Sequence, residues 1–171
     1  MTPSEFKSRF IELLRPVPPE LGLRLDKFVK LSPHRVAGLR IPDSDRAFLT
    51  DSGLPAAAAP FLSFRLDSER TLAPLNGFPD SVMIGHDGSG NMICIDQSDG
   101  GAVVLYDHDN RMQRVLVNSS LSQFARSLCA FSSFRRTQDA DTFRAEMCEI
   151  DAAAIAEGSF WLQEMENELA G

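Results

Sequence analysis

The sequence has no long apolar run. Its longest weakly polar stretch, Leu54 to Phe64, is interrupted by Pro55 and Pro60, and a bilayer-spanning helix needs about 20 apolar residues in succession. The first ten residues, MTPSEFKSRF, hold no apolar segment of the kind a secretory signal requires. These absences point to a cytoplasmic chain without a membrane partner. Cysteine is scarce: Cys94, Cys129 and Cys148 make an odd number with no CxxC spacing. That argues against a disulfide framework or a zinc site, and each thiol reads as a small buried hydrophobe.

Catalytic and cofactor motifs are missing as well. No HExxH or GxSxG occurs. Gly85, Gly88 and Gly90 do not spell GxGxxG, and a strand follows them, not the helix N-terminus a phosphate needs. The run Asp87-Gly-Ser-Gly-Asn91 resembles the start of a calcium loop. Counted from Asp87, however, Met92 and Ser98 stand where such a loop needs Gly and a bidentate Glu. Three histidines remain. His86 and His108, each followed by Asp, could bind a metal or act as bases. Both sit in turn-like segments, which can lie at opposite edges of a sheet, and read more simply as wet turn residues. Arg135-Arg136 reads as a solvated helix end and Trp161 as core. No catalytic residue, metal ligand or cofactor is therefore assigned.

Basic charge is nearly absent from the end of the chain. Residues 139–171 hold nine acids and one base, which is −8, whereas the formal net charge of all 171 residues is −7. Such a field repels phosphate backbones, so direct nucleic-acid binding is disfavoured, and it attracts a basic protein partner.

The sequence is otherwise that of a globular domain, with 43% hydrophobic and 24% charged residues. One domain spanning 1–171 is expected from the length. Phe6, Phe10, Leu13 and Leu14 predict a helix over 3–15, capped by Thr2 or Ser4 and ended by Pro16, Pro18 and Pro19. Residues 20–60 read as mostly irregular, with short helical pieces. Asp43 or Ser44 would cap a short turn that sends Phe48 and Leu49 inward, and Gly53 fits a C-cap. Alternation in residues 60–66 predicts a strand, with Phe61, Ser63 and Arg65 on one face and Leu62, Phe64 and Leu66 on the other. Short apolar runs at 81–85, 91–96, 102–107 and 112–117 are joined by Gly-, Asp- and Asn-rich turns too short for parallel crossovers, so they predict an antiparallel meander. Ser120 with Gln123 predicts a capping box before a helix carrying Leu121, Phe124, Leu128 and Phe131. Phe143, Met147 and Ile150, then Ile155, Trp161, Met165 and Leu169, predict further helices, with a kink or join at Gly158. The expected fold class is α+β, a mainly antiparallel twisted sheet of about five to six strands packed with N-terminal and C-terminal helices.

Four stretches carry a family resemblance: Phe48 to Pro55, Ile84 to Asp96, Val103 to Phe124, and Gly158 to Trp161 with Met165-Glu166. In this order they resemble the SUKH superfamily, specifically its fourth subfamily of bacterial immunity proteins. Residues 1–40 contribute little to the likeness. The resemblance implies a non-catalytic protein that binds and neutralises a cognate toxin, often a nuclease or deaminase. A regulatory protein-binding module of the same fold, and a small metal-dependent hydrolase using His86 and His108, are the alternatives. The toxin-contacting residues expected from the acidic pattern are Asp87, Asp99 and Asp109 in the turns and Glu164 and Glu166 near the C-terminus.

Overall fold

The computed structural model describes residues 1–14, 20, 24–64 and 71–171. The expected helix end at Pro16, Pro18 and Pro19, and Arg65 and Leu66 of the expected strand, lie outside the described residues.

Helix α1 (Pro3–Leu13) opens with the capping box at Thr2: the Glu5 N–H donates to Thr2 Oγ1 at 3.2 Å and the Thr2 N–H to Glu5 Oε2 at 2.7 Å. Its buried residues, Phe6 and Phe10, meet Phe28 of strand β1 (Phe28–Val29) with ring centroids 5.7 Å apart in each case. The stretch read as irregular holds several short elements: α2 (Pro33–Val36), α3 (Asp43–Ala47), a π-helical turn (Phe48–Ser52), β2 (Leu54–Pro55) and β3 (Ala57–Ala58). Phe48 and Leu49 point inward as expected, and Gly53 closes the π turn by donating its N–H to Phe48 O at 2.7 Å. The cap of α3 differs from expectation. Pro42 occupies that position without a side-chain bond, and Asp43 pairs with Arg46 at 2.9 Å.

Strand β4 is only Leu62–Ser63. Leu62 and Phe64 are buried as the alternation required, but Phe61 has φ of 56° and is 81% exposed. A left-handed backbone there cannot continue an extended strand. After β5 (Pro74–Leu75) comes the meander β6 (Phe78–His86), β7 (Met92–Asp96), β8 (Ala102–Asp107) and β9 (Gln113–Asn118). Neighbours pair antiparallel throughout, in the order β3-β4-β6-β7-β8-β9, with β5 joined to β6, so among the described residues the sheet has seven strands. Three of the seven are only two residues long.

Period-two alternation sorts the meander onto two apolar faces. Val82, Ile84, Ile93, Ile95, Val103, Leu105 and Val117 belong to the main core with the helices. Met83, Met92, Cys94, Val104, Tyr106 and Leu116 form a second cluster on the other face. Among the described residues, no helix covers that second cluster. The tight β5–β6 hairpin helps to close it, with Phe78 stacked 4.4 Å from the Tyr106 ring and Ser81 Oγ 2.8 Å from the Tyr106 hydroxyl.

The main core is completed by α4 (Leu121–Thr137), α5 (Ala140–Asp151), a 3-10 turn (Ala152–Ile155) and α6 (Phe160–Ala170). Ser120 caps α4, accepting from the Gln123 N–H at 3.2 Å. The Gln123 side chain does not return to the cap backbone: it accepts from the Ser120 hydroxyl at 2.7 Å and donates to Ile150 O at 3.0 Å, fastening the start of α4 to the end of α5. Trp161 is fully buried, 5.4 Å from Phe131 and 6.2 Å from Phe124. Gly158 marks the join before α6. Two further expectations are corrected. Cys148 is exposed, because Phe143, Met147 and Ile150 take the inward stripe of α5. Leu169 is exposed near the end of α6, beyond the buried Met165.

Candidate functional site

The meander sends its connections to opposite ends of the sheet. The β6–β7 and β8–β9 turns share one end, where His108 binds Asn91 Oδ1 through its backbone N–H at 3.0 Å and through Nδ1 at 2.7 Å. The two His-Asp turns therefore do not lie at opposite edges. His86 Nδ1 sits 3.0 Å from Asp87 O and His108 Nε2 3.3 Å from Asp109 Oδ1. Among the described residues, no group of three His, Cys, Asp or Glu side chains could hold a metal ion.

The five acids expected to contact a partner separate in space. Asp87 organises its own turn: Oδ1 accepts the Ser89 and Asn91 N–H groups, each at 2.9 Å, and Oδ2 accepts the Asn91 amide at 2.8 Å. Glu164 on α6 lies close to it. Burial, then the Asp87 carboxylate, then Glu168, push the Glu164 carboxyl above its usual value. Asp109 occupies the same end and is exposed. Glu166 faces away toward α5, 3.9 Å from Arg144 Nη2. Asp99 is at the far end of the meander, roughly 17 Å away along a five-residue strand, where it accepts Arg114 Nη2 at 2.7 Å. The structure thus brings together Asp87, Glu164 and Asp109, and leaves Glu166 and Asp99 apart.

The feature that sequence reasoning missed lies beside Asp87. An apolar groove of about 550 Å³ runs between the end of α1 and the C-terminal end of α4, walled by Leu13, Leu14, Ala58, Leu62 and Phe61. Arg135 and Arg136 stand at its α4 side and Gly88 of the β6–β7 turn at another. Gly88 is needed there: a Cβ on it would lie 2.9 Å from Phe61 Cβ, tighter than real side chains tolerate. Arg135 is not simply a solvated helix end, because its Nε donates to Glu168 Oε1 at 2.9 Å. One signal was available: the alternation put Phe61 on the polar face with Ser63, and an aromatic on the polar side of a strand invites a question about its partner.

Burial of Cys94 and Cys129 pushes both thiols up to about 12, far from a reactive thiolate. A second polar constellation, at Asn118, is internal. Its amide donates to Ser127 Oγ at 3.0 Å and Asp151 Oδ2 at 3.3 Å, and its carbonyl accepts Trp161 Nε1 at 2.9 Å. Asp151 also accepts the Ser119 N–H at 2.6 Å and the Ser119 hydroxyl at 3.1 Å. The Asn118, Ser127, Asp151 and Trp161 side chains are all buried, so this network joins β9, α4, α5 and α6 instead of meeting a ligand. Among the described residues, no helix is long and apolar enough to cross a membrane.

No curated protein and no solved structure matches the chain. One family does, described as SUKH-4 immunity protein, over residues 25–167. The match begins earlier than the resemblance traced from Phe48, taking in β1 and α2. With the α+β fold and its antiparallel meander in place, this coverage is decisive: the chain belongs to the SUKH-4 immunity protein family.

Proposed function

We propose that this protein is a non-catalytic, cytoplasmic immunity protein that neutralises a cognate toxin by binding it, and that the toxin presents a basic surface. Family membership carries the general reading. The acidic surface supports the finer one: Asp141, Glu146, Glu149, Glu157 and Glu166 are exposed on and around α5 and α6, and Asp87 and Glu164 crowd two carboxylates at one sheet end. A toxin acting on nucleic acid, a nuclease or a deaminase, holds phosphates with cations, and an acidic surface can occupy that cleft in their place. The two buried thiols held near 12, and the side-chain contacts of both turn histidines, favour binding over chemistry. Residues 1–171 act as one unit in this reading. It is supported by the packing of Phe6 and Phe10, which precede the matched region, against Phe28 and Phe48.

The test is co-purification of this chain with the protein encoded in the adjacent reading frame, followed by assay of that protein's toxicity with and without it. A stoichiometric complex with loss of toxicity is expected. A neighbouring toxin that neither binds nor is silenced would sink the proposal.

A further inference from the structure

We propose that the groove beside Phe61 is the docking site for the toxin, and that it takes a segment carrying a bulky apolar side chain next to a carboxylate. This rests on the toxin-binding reading above and adds the surface and the chemistry it recognises.

The groove has the capacity. About 550 Å³ lies within the range of sites that enclose a ligand, and three consecutive alanines, Ala57 to Ala59, line it with minimal bulk. Phe61 stands at its lip, 81% exposed, on a left-handed backbone that turns its side chain out of the strand. Pro60 and Leu62 on either side are buried, so the chain passes from core to lip and back within three residues. The Gly88 turn closes against the Cβ and backbone of Phe61 from the other side. Interface hot spots have this character: aromatic anchors and arginines around a pocket that loses its water on binding.

Charge selects the occupant. Arg136 is exposed at the α4 rim and has no ion pair among the described residues, whereas Arg135 next to it is held by Glu168. A guanidinium fork donates two parallel hydrogen bonds to a carboxylate, a geometry a lone ammonium does not offer. The other rim is of opposite sign: Asp87 precedes Gly88, and Glu164 crowds it from α6. The two rims therefore orient the segment, with its carboxylate toward Arg136, its apolar side chain in the groove against Phe61, and the basic part of the toxin toward Asp87 and Glu164.

Two probes and two variants test this. The dye 8-anilinonaphthalene-1-sulfonate carries an aromatic body and one anionic group, and N-phenyl-1-naphthylamine is its neutral counterpart. The full chain should bind both in fluorescence titrations. Ala58→Phe, which fills the groove, should weaken both. Arg136→Glu, at an exposed position in the last turn of α4, should weaken the sulfonate by at least about tenfold while leaving the neutral dye unchanged. Both variants should weaken the adjacent-frame toxin by at least about tenfold. Failure of the folded wild-type chain to bind either dye overturns the groove. Unchanged toxin affinity in both variants overturns it as the docking site, whatever the dyes do. If the wild-type chain forms no complex with the toxin, the toxin-binding reading itself fails, and the dye titrations alone then decide whether the groove takes an apolar anion.

Discussion

Asn118 closes the meander and joins three helices through one amide. Its side chain uses both amide donation and carbonyl acceptance, to Ser127, Asp151 and Trp161. Removing a buried partner leaves its neighbours unsatisfied, which costs about 1–3 kcal/mol for each stranded group. Asn118→Ala is expected to lower stability by about 3 kcal/mol, because the Trp161 N–H and part of Asp151 lose their partner together. Urea unfolding followed by Trp161 emission, the signal of the single tryptophan in the chain, measures it. A loss below about 0.5 kcal/mol, the scale of a neutral surface change, would show the network to be incidental.

Two buried aspartates respond to pH with opposite sign. Burial pushes the Asp45 carboxyl up, only partly countered by the N–H groups of Leu121 and Ser122 at the start of α4. Its contribution is fully present below the unfolded value of about 3.9 and is lost as pH rises through the folded value. Asp96 is also pushed upward by burial, but hydrogen bonds from Ser98 and Arg114 prevail and hold it below the usual carboxylate range. Its contribution is present above the unfolded value and is lost as pH falls through the folded one. Asp45→Asn should therefore reduce the fall in stability as pH climbs above the unfolded value and through the raised folded one, and cost little at neutral pH. Asp96→Asn should destabilise at neutral pH and make the protein less sensitive to acid. Unfolding midpoints at several pH values decide both, and identical pH profiles for the two variants would refute the assignment.

At the scale of elements, α4 depends on its first turn. Ser120→Ala removes the hydroxyl that accepts the Gln123 N–H and frees the Gln123 amide clamp on Ile150, so a loss of about 1–2 kcal/mol is expected in the same unfolding assay. The four long strands were legible as short apolar runs between turn residues, buried almost throughout in Met92–Asp96 and Ala102–Asp107, and the helices by the spacing of a buried stripe, as in Phe143, Met147 and Ile150. Residues 28–58 were not. Their two-residue strands and one-turn helices are set by what they pack against, and pieces that short carry no period. The β5–β6 hairpin is a different miss, since Asn76-Gly77 is a strong two-residue turn signal and Gly77 has φ of 84°. Gly85 lies inside β6, where a Cβ would come within 2.6 Å of Ser63 O. Its absence of a side chain admits β4. The candidate site was half legible: charge pointed to Asp87 and Glu164, but no linear pattern joins Leu13, Phe61, Gly88 and Arg136, which meet only through the tertiary fold.

At the scale of the whole molecule, charge and packing divide the labour. The acidic residues 139–171 generate a long-range field, which governs encounter more than final affinity. Reversing Glu146, Glu149 and Glu157 to Lys is expected to slow association with the toxin by about tenfold at low salt while changing dissociation little. Raising salt from about 50 to 500 mM should slow the wild-type protein to a similar degree, as the Debye length shortens. Stopped-flow or biosensor kinetics separate the two rates, and a salt-independent association rate would contradict the field. The sheet, for its part, buries apolar side chains on both faces. That leaves the turns and the groove rim as the parts of the molecule free to change. If the proposed toxin partner diversifies, the fold can tolerate substitution at the exposed Asp109, Phe61 or Arg136 while the buried Val104 and Trp161 stay fixed. A change of adversary then demands new letters at the periphery and none in the interior.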